Sequence, residues 1–188
     1  ILIFYNSNDK RNELGKSYCL LFPLDIGGIG PCWRSTYMAE GMNHMSLSRL
    51  EDYVALCRLK ASYCRYIDEK AWMDLADLLT HDFVMDAAGP GHPPVVGRDA
   101  AIDRIRMSIE TARTAHQVHM PEIDVDGDSA HGIWAMQDRV VWGNGRPSIV
   151  GYGHYREHYV REAGRWKIAR LQLTRLHIDF HPDASAIP

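Results

Sequence analysis

Asp68 and His116 are the residues whose types and positions could do chemistry. Asp68 ends a row of small and apolar residues, Leu47, Leu50, Val54, Cys57, Ala61 and Cys64, spaced three and four apart. That spacing keeps one face of a helix turned toward the core. It therefore aims a carboxyl group inward, where an ionised carboxylate must be paired or have its pKa raised. Either outcome suits a general acid or base. The same spacing also allows a helix that ends near Cys64, with Asp68 opening a turn before Lys70. His116 begins a strand in phase with Val118 and Met120 and looks at the same cavity as Asp68. A lone strand-edge histidine is usually capped by backbone; next to an inward aspartate it becomes a candidate for proton transfer.

The elements that must position these two side chains follow from the periodicity. A long helix is expected over Leu47 to Ile67, capped by Ser46 or Ser48, and a shorter one over Ala71 to Leu79. Phe83 to Ala87 reads as a strand, and the Gly- and Pro-rich stretch 89–94 as a loop. Gly97-Arg98-Asp99 opens a third helix with Ile102, Ile105 and Ile109 at helical spacing. Strands follow over His116 to Val125, Ser129 to Trp142, Ile149 to Arg161 and Trp166 to Ile178. Their turns are signalled by Asp126-Gly127-Asp128, Gly143-Asn144-Gly145 and Ala163-Gly164. Helices followed by a meander describe an α+β fold, a curved sheet wrapped around the first helix.

A curved sheet facing a helix leaves a conical cavity, and strand alternation says what lines it. One face of the second long strand carries Ala130, Gly132, Trp134, Met136, Asp138, Val140 and Trp142, with Asp138 the lone acid. A strand edge or a bulge can produce such a break; here it marks the pocket, with Trp134 and Met136 as apolar walls. The next strand sets Gly151, Gly153, Tyr155, Glu157 and Tyr159 against Tyr152, His154, Arg156 and His158. Neither row is plainly apolar, so one faces a wet cavity and the other solvent or a partner subunit; the first, with Gln172 and Thr174, is expected outside as a subunit interface. In the last strand Ala169, Leu171 and Leu173 form an apolar row ending in Arg175.

Composition bounds the partners. In 188 residues with a net charge of −3, both signs are interspersed and no basic block exists, which argues against a nucleic-acid partner. No apolar run reaches membrane-spanning length, and Ile1 to Tyr5 lacks the features of a secretory leader. The four cysteines show neither metal spacing nor a disulfide framework, so the reducing cytoplasm is the default compartment. His44, His81, His92 and His181 fall in tails or loops and receive no role. His116 and His119 fall on opposite strand faces, so no metal set is expected. Without a phosphate loop or a nucleophile elbow, proton transfer that needs no cofactor is what remains. Residues 1–45 mix Asn, Lys, Gly and Pro without period and read as a poorly ordered extension to a domain over 46–180, with 181–188 as a tail.

An ordered set of motifs, Tyr66-Ile67-Asp68-Glu69-Lys70-Ala71-Trp72, Gly97-Arg98-Asp99, Thr114-Ala115-His116, Val125-Asp126-Gly127-Asp128 and Gly164-Arg165-Trp166-Lys167-Ile168-Ala169, resembles the SnoaL-like branch of the nuclear transport factor 2-like superfamily. The resemblance implies a cystatin-like cone, a curved antiparallel mixed sheet around a long N-terminal helix with two further helices. Within that superfamily the mechanistic likeness is to scytalone dehydratase and bile-acid 7α-dehydratase, and it implies that Asp68 and His116 form the catalytic pair. It further implies Tyr63 and Asp138 as catalytic partners, although five residues part Tyr63 from Asp68, which a regular helix sets on different faces. The second histidine of scytalone dehydratase is replaced near Asp138-Arg139, and the resemblance implies that the polar positions that bind its substrate correspond to His154 and Arg156.

The expected function is a cofactor-free lyase or isomerase, dehydratase- or cyclase-like, acting on a small apolar oxygenated ring compound. Asp68 orients His116, which takes a proton next to a carbonyl; Tyr63, Asp138 or Arg175 polarises the oxygen or protonates the departing hydroxyl. The substrate would meet Trp134, Met136, His154, Arg156, Leu171, Leu173 and Arg175. A non-catalytic binding or association module of the same fold, or a dioxygenase small subunit, is the alternative. The resemblance also implies a homo-oligomer, a dimer or trimer packed through the sheet.

Overall fold

A computed structural model of the chain describes residues 47–87, 89, 91–142 and 147–182. The expected extension 1–45, the cap at Ser46, the turn Gly143-Asn144-Gly145 and residues 183–188 lie outside the described residues. The elements run α1 (Leu47–Glu69), α2 (Trp72–Asp77), β1 (Leu79–Asp86), β2 (Val95–Val96), α3 (Arg98–Ile109), β3 (Arg113–Val118), β4 (Glu122–Asp126), β5 (Ser129–Val141), β6 (Ser148–Glu162) and β7 (Arg165–His181). The sheet order is β2-β1-β7-β6-β5-β3, with β4 also on β5. All pairings are antiparallel except β1 with β7, which run parallel. The mixed α+β cone expected from the sequence is the fold.

The strand expected over His116 to Val125 is two strands. Pro121 cannot donate to a ladder, and the chain breaks between β3 and β4 around it. β3 then pairs the second half of β5 and β4 the first half, and His119 N–H bridges the gap to the Ala135 carbonyl at 2.9 Å. The split lets one edge of β5 bend. On the other side, β7 carries two extra residues opposite β6, Ala169 and Leu176. Each bulge coils the sheet further around α1. The bulge at Ala169 also switches which parity of β7 faces inward, so Trp166 and Ile168 are buried before it and Leu171 after it. Ala169 is thus not part of the Leu171, Leu173, Arg175 row.

The buried face of α1 is Leu56, Leu59, Lys60, Tyr63, Cys64 and Ile67. Leu47, Leu50, Val54 and Ala61 are exposed. The true stripe is displaced by one residue, about 100° around the helix, from the row read in the sequence. Lys60 hides it, because a lysine in its centre breaks the apolar pattern. Its ammonium is fully buried, 2.5 Å from Glu157 of β6, whose side chain is equally buried. Tyr159 donates its hydroxyl to the other Glu157 oxygen and accepts the Trp134 indole N–H at 2.7 Å. A charge pair without solvent is tolerable here because Glu157 also accepts from Tyr159 and the ammonium lies against the faces of Tyr63 and Tyr155.

The rows of β6 are inverted relative to the sequence expectation. Asp138 pairs Gly151, Trp134 pairs Tyr155 and Ala130 pairs Tyr159. Directly paired residues share a face, so Gly151, Gly153, Tyr155, Glu157 and Tyr159 line the inside and are buried. They cannot form the outer interface assigned to them. His154 and Arg156 lie on the outer face, opposite Thr174 and Gln172.

Removing one partner of the buried pair leaves a charge without compensation. Lys60→Met is expected to destabilise the domain by about 3–5 kcal/mol. Adding Glu157→Gln, which keeps an acceptor for Tyr159, should recover most of that loss. Urea unfolding of the single and double variants checks it.

Candidate active site

Asp68 is the penultimate residue of α1. The helix closes with Ala71 N–H on the Tyr66 carbonyl at 2.9 Å and Lys70 N–H on the Ile67 carbonyl at 3.3 Å, a Schellman ending. Lys70 occupies its left-handed position, with φ of 61°, where glycine is the cheaper residue. The lysine is accounted for by its side chain. Its ammonium donates to the Ile67 carbonyl at 3.2 Å and to Thr114 Oγ1 at 2.9 Å. Thr114 in turn donates to Asp68 Oδ1 at 2.8 Å.

The aspartate receives two further hydrogen bonds from β3. His116 N–H donates to Oδ2 at 2.8 Å, and the His116 ring lies with Nδ1 2.6 Å from Oδ1. Burial alone would raise the Asp68 pKa, but the bonds from the His116 ring and backbone and from Thr114 hold it below the ordinary carboxylate value. A carboxylate there requires Nδ1–H on the histidine, which leaves the lone pair on Nε2. Nε2 has no partner among the described residues, and His116 lines a cavity.

That cavity has a volume of about 560 Å³. Apolar wall comes from Ile67, Met85, Ile105, Val140, Leu171 and Leu173; polar groups come from Tyr63 of α1 and from Asp138, Tyr155 and Arg175 of the sheet. Arg175 grips Asp138 with two parallel bonds, Nη1 to Oδ1 at 2.7 Å and Nη2 to Oδ2 at 2.6 Å. The pair spans from β7 to β5 across Gly151 of β6. A Cβ at Gly151 would collide with both the guanidinium and the carboxylate, which explains glycine in the middle of a long strand. Burial would weaken the Arg175 cation; the bonds to Asp138 raise its pKa instead.

The structure brings together most of the residues singled out in the sequence. Asp68, His116, Tyr63, Asp138, Leu171, Leu173 and Arg175 stand in or directly behind the cavity wall. Tyr63 and Asp68 need not share a helix face, because Tyr63 meets the cavity directly whereas Asp68 sits behind His116. Trp134 and Met136 are buried below the cavity rather than lining it. His154 and Arg156 are outside the cone. His92, given no role, lines the cavity from the loop. Tyr155, Lys60 and Glu157 were missed. The signal for them was the inward phase of Asp138, which carried across the β5–β6 ladder fixes the β6 row that faces in.

Residues 48–172 match the sequence profile of the SnoaL-like domain. Similar solved structures include a candidate scytalone dehydratase from Novosphingobium aromaticivorans DSM 12444, at 24% identity and TM-score 0.65 over 70% of this chain and 89% of that one. A type 2 hexachlorocyclohexane dehydrochlorinase, LinA, is 22% identical with TM-score 0.64 over 71% of this chain and 91% of its own. The LinA-type3 enzyme from Novosphingobium barchaimii LL02 is 23% identical with TM-score 0.62 over 76% and 98%. At these identities the likeness is one of fold.

The lowered Asp68 pKa links the site to stability. Its folded value lies below the unfolded one, so ionised Asp68 stabilises the fold above the ordinary carboxylate range and that contribution disappears as pH falls through the folded value. The stability difference between the native chain and Asp68→Asn is therefore expected to be constant near neutrality and to shrink below about pH 4. Unfolding midpoints of the two chains across pH measure it.

Proposed function

We propose, from the premise that the chain belongs to the SnoaL-like domain family, that the cone is the active site of a lyase or isomerase that needs no cofactor and acts on a small, largely apolar, oxygenated ring compound. The observation that carries this reading is the His116–Asp68 pair, 2.6 Å apart, with the histidine in the cavity wall and the aspartate behind it. Asp68 fixes the tautomer and orientation of the ring and stabilises the imidazolium that forms. Nε2 takes the proton from a carbon next to a carbonyl, and the C–H electron pair becomes the new C=C bond.

Other groups in the cavity wall meet the charge that develops. The Arg175 guanidinium and the Tyr63 phenol polarise the substrate oxygen. Burial, and then the Glu157 charge, push the Tyr63 pKa well above its ordinary value, so the phenol stays protonated and able to donate. Asp138 is spent on the two terminal guanidinium nitrogens, so its role here is to position Arg175. In a dehydration the proton held by His116 leaves with the departing hydroxyl as water; in an isomerisation it returns to another carbon. The names of two structural neighbours, a dehydratase and a dehydrochlorinase, denote eliminations, which supports the same class of step.

A thermal-shift screen of steroid, terpenoid and polyketide fragments, followed by turnover assays on the stabilising compounds, identifies the substrate. With it, His116→Gln and Asp68→Asn are each expected to lose about 10²–10⁴-fold in turnover while the circular dichroism spectrum is unchanged. Full turnover by both variants would exclude the dyad. Ligand binding without any turnover would point to a passive pocket.

A further inference from the structure

Two phenols line the cavity and bond none of the described residues. Tyr63 of α1 and Tyr155 of β6 are 3% and 4% exposed, and both line the cavity. Neither hydroxyl bonds a described residue, and neither is sealed from the cavity, since among the described residues the one buried side-chain N or O atom without a partner is Thr80 Oγ1. A phenol that opens onto a cavity without a protein partner is free to donate to whatever enters. An acceptor on a ligand can take that bond in place of water.

The two rings share a foundation. They meet edge to face, with centroids 6.4 Å apart and planes at 78°. Under them lies the Lys60 ammonium, 3.6 Å from the centre of the Tyr155 ring and 4.2 Å from that of Tyr63. Glu157, Tyr159 and Trp134 fix the ammonium from below in a chain of hydrogen bonds. A cation on the face of a phenol draws on its π electrons, and that makes the O–H a stronger donor. Burial, and then the neighbouring Tyr63, raise the Tyr155 pKa well above its ordinary value, so it too remains a donor.

We propose that Tyr155 is a second substrate-contacting donor: seated on Lys60, its phenol joins that of Tyr63 in holding an acceptor oxygen of the substrate at the buried end of the cone, with Lys60 as the positioning residue. The inference rests on the reading of the cone as a site for an oxygenated ring compound and adds which end enters first. A carbonyl oxygen goes to the floor, and the apolar body of the ring fills the aliphatic wall. When the base removes the adjacent proton, the C–H pair forms the C=C bond and the C=O π pair moves onto oxygen. The phenols donate hydrogen bonds to that oxygen and keep their protons.

The test uses α-tetralone, a ketone that only accepts, and tetralin, its oxygen-free counterpart. Affinities come from calorimetry, and the carbonyl stretch of bound α-tetralone from infrared difference spectra. Tyr155→Phe, which keeps the ring, is expected to weaken α-tetralone about tenfold, the scale of one hydrogen bond, and to leave tetralin unchanged. The carbonyl band should move back toward its position in an apolar solvent. The paired Lys60→Met/Glu157→Gln variant should shift the band in the same direction without abolishing binding, a readout that a packing role would not move. An unchanged band and affinity in Tyr155→Phe would overturn the inference, as would equal weakening of both probes or no α-tetralone binding by the native chain at millimolar concentration. His116→Gln separates this claim from the proton-transfer reading. There a Tyr155-dependent band without turnover contradicts only the alternative in which the floor residues are passive, and turnover that ignores Tyr155 overturns only the present inference.

Discussion

The carboxylate of Asp68 is the joint on which the site depends. It stands at the end of a 23-residue helix and takes three hydrogen bonds from one strand. One comes from backbone, one from a hydroxyl and one from an imidazole. The backbone bond fixes where α1 stops against β3, and the imidazole bond fixes how His116 stands toward the cavity. The same atoms thus serve packing and chemistry. Lys70 shows the local cost: a left-handed residue that is not glycine, retained where its ammonium completes the shell around Thr114 and Asp68.

A second constraint is the room inside a strongly coiled sheet. Two bulges on β7 and the break between β3 and β4 curl the sheet far enough to enclose about 560 Å³. Glycine at position 151 provides the space in which Arg175 can reach across β6 to Asp138. Beneath the cavity the Lys60–Glu157 pair replaces what would otherwise be apolar filling. Its ammonium lies against the rings of both cavity tyrosines, so the part of the core that looks least like core is the part that supports the cavity floor.

Much of this was legible in the residues. The helices, most of the strands and the lone acid of β5 follow from periodicity and turn chemistry, whereas Asp68 is reached along a helical row that the structure turns mostly outward. What misled was parity and phase. On α1 the row through Leu47 and Val54 has better apolar composition than the true face, because Lys60 interrupts the latter, and only the tertiary partner Glu157 makes a lysine acceptable there. On β6 neither row is plainly apolar, so composition cannot choose between them; the ladder register with β5 can, and it places Tyr155 inside and His154 and Arg156 outside. Trp134 and Met136 have the right phase but the wrong depth, since alternation reports the face and not the distance along a cone. On β7 a bulge at Ala169 changes the parity in mid-strand, an event that carries no residue signature in this sequence.

The central claim is that His116, held by Asp68, removes a proton from carbon next to a carbonyl lying in this cavity. Deuterium incorporation into the methylene beside the carbonyl of α-tetralone in heavy water, followed by proton NMR, tests that step without the natural substrate. The account requires the native chain to accelerate the exchange above the rate in buffer and His116→Gln to return it to that rate with the ketone still bound. Equal exchange by the two proteins would contradict it.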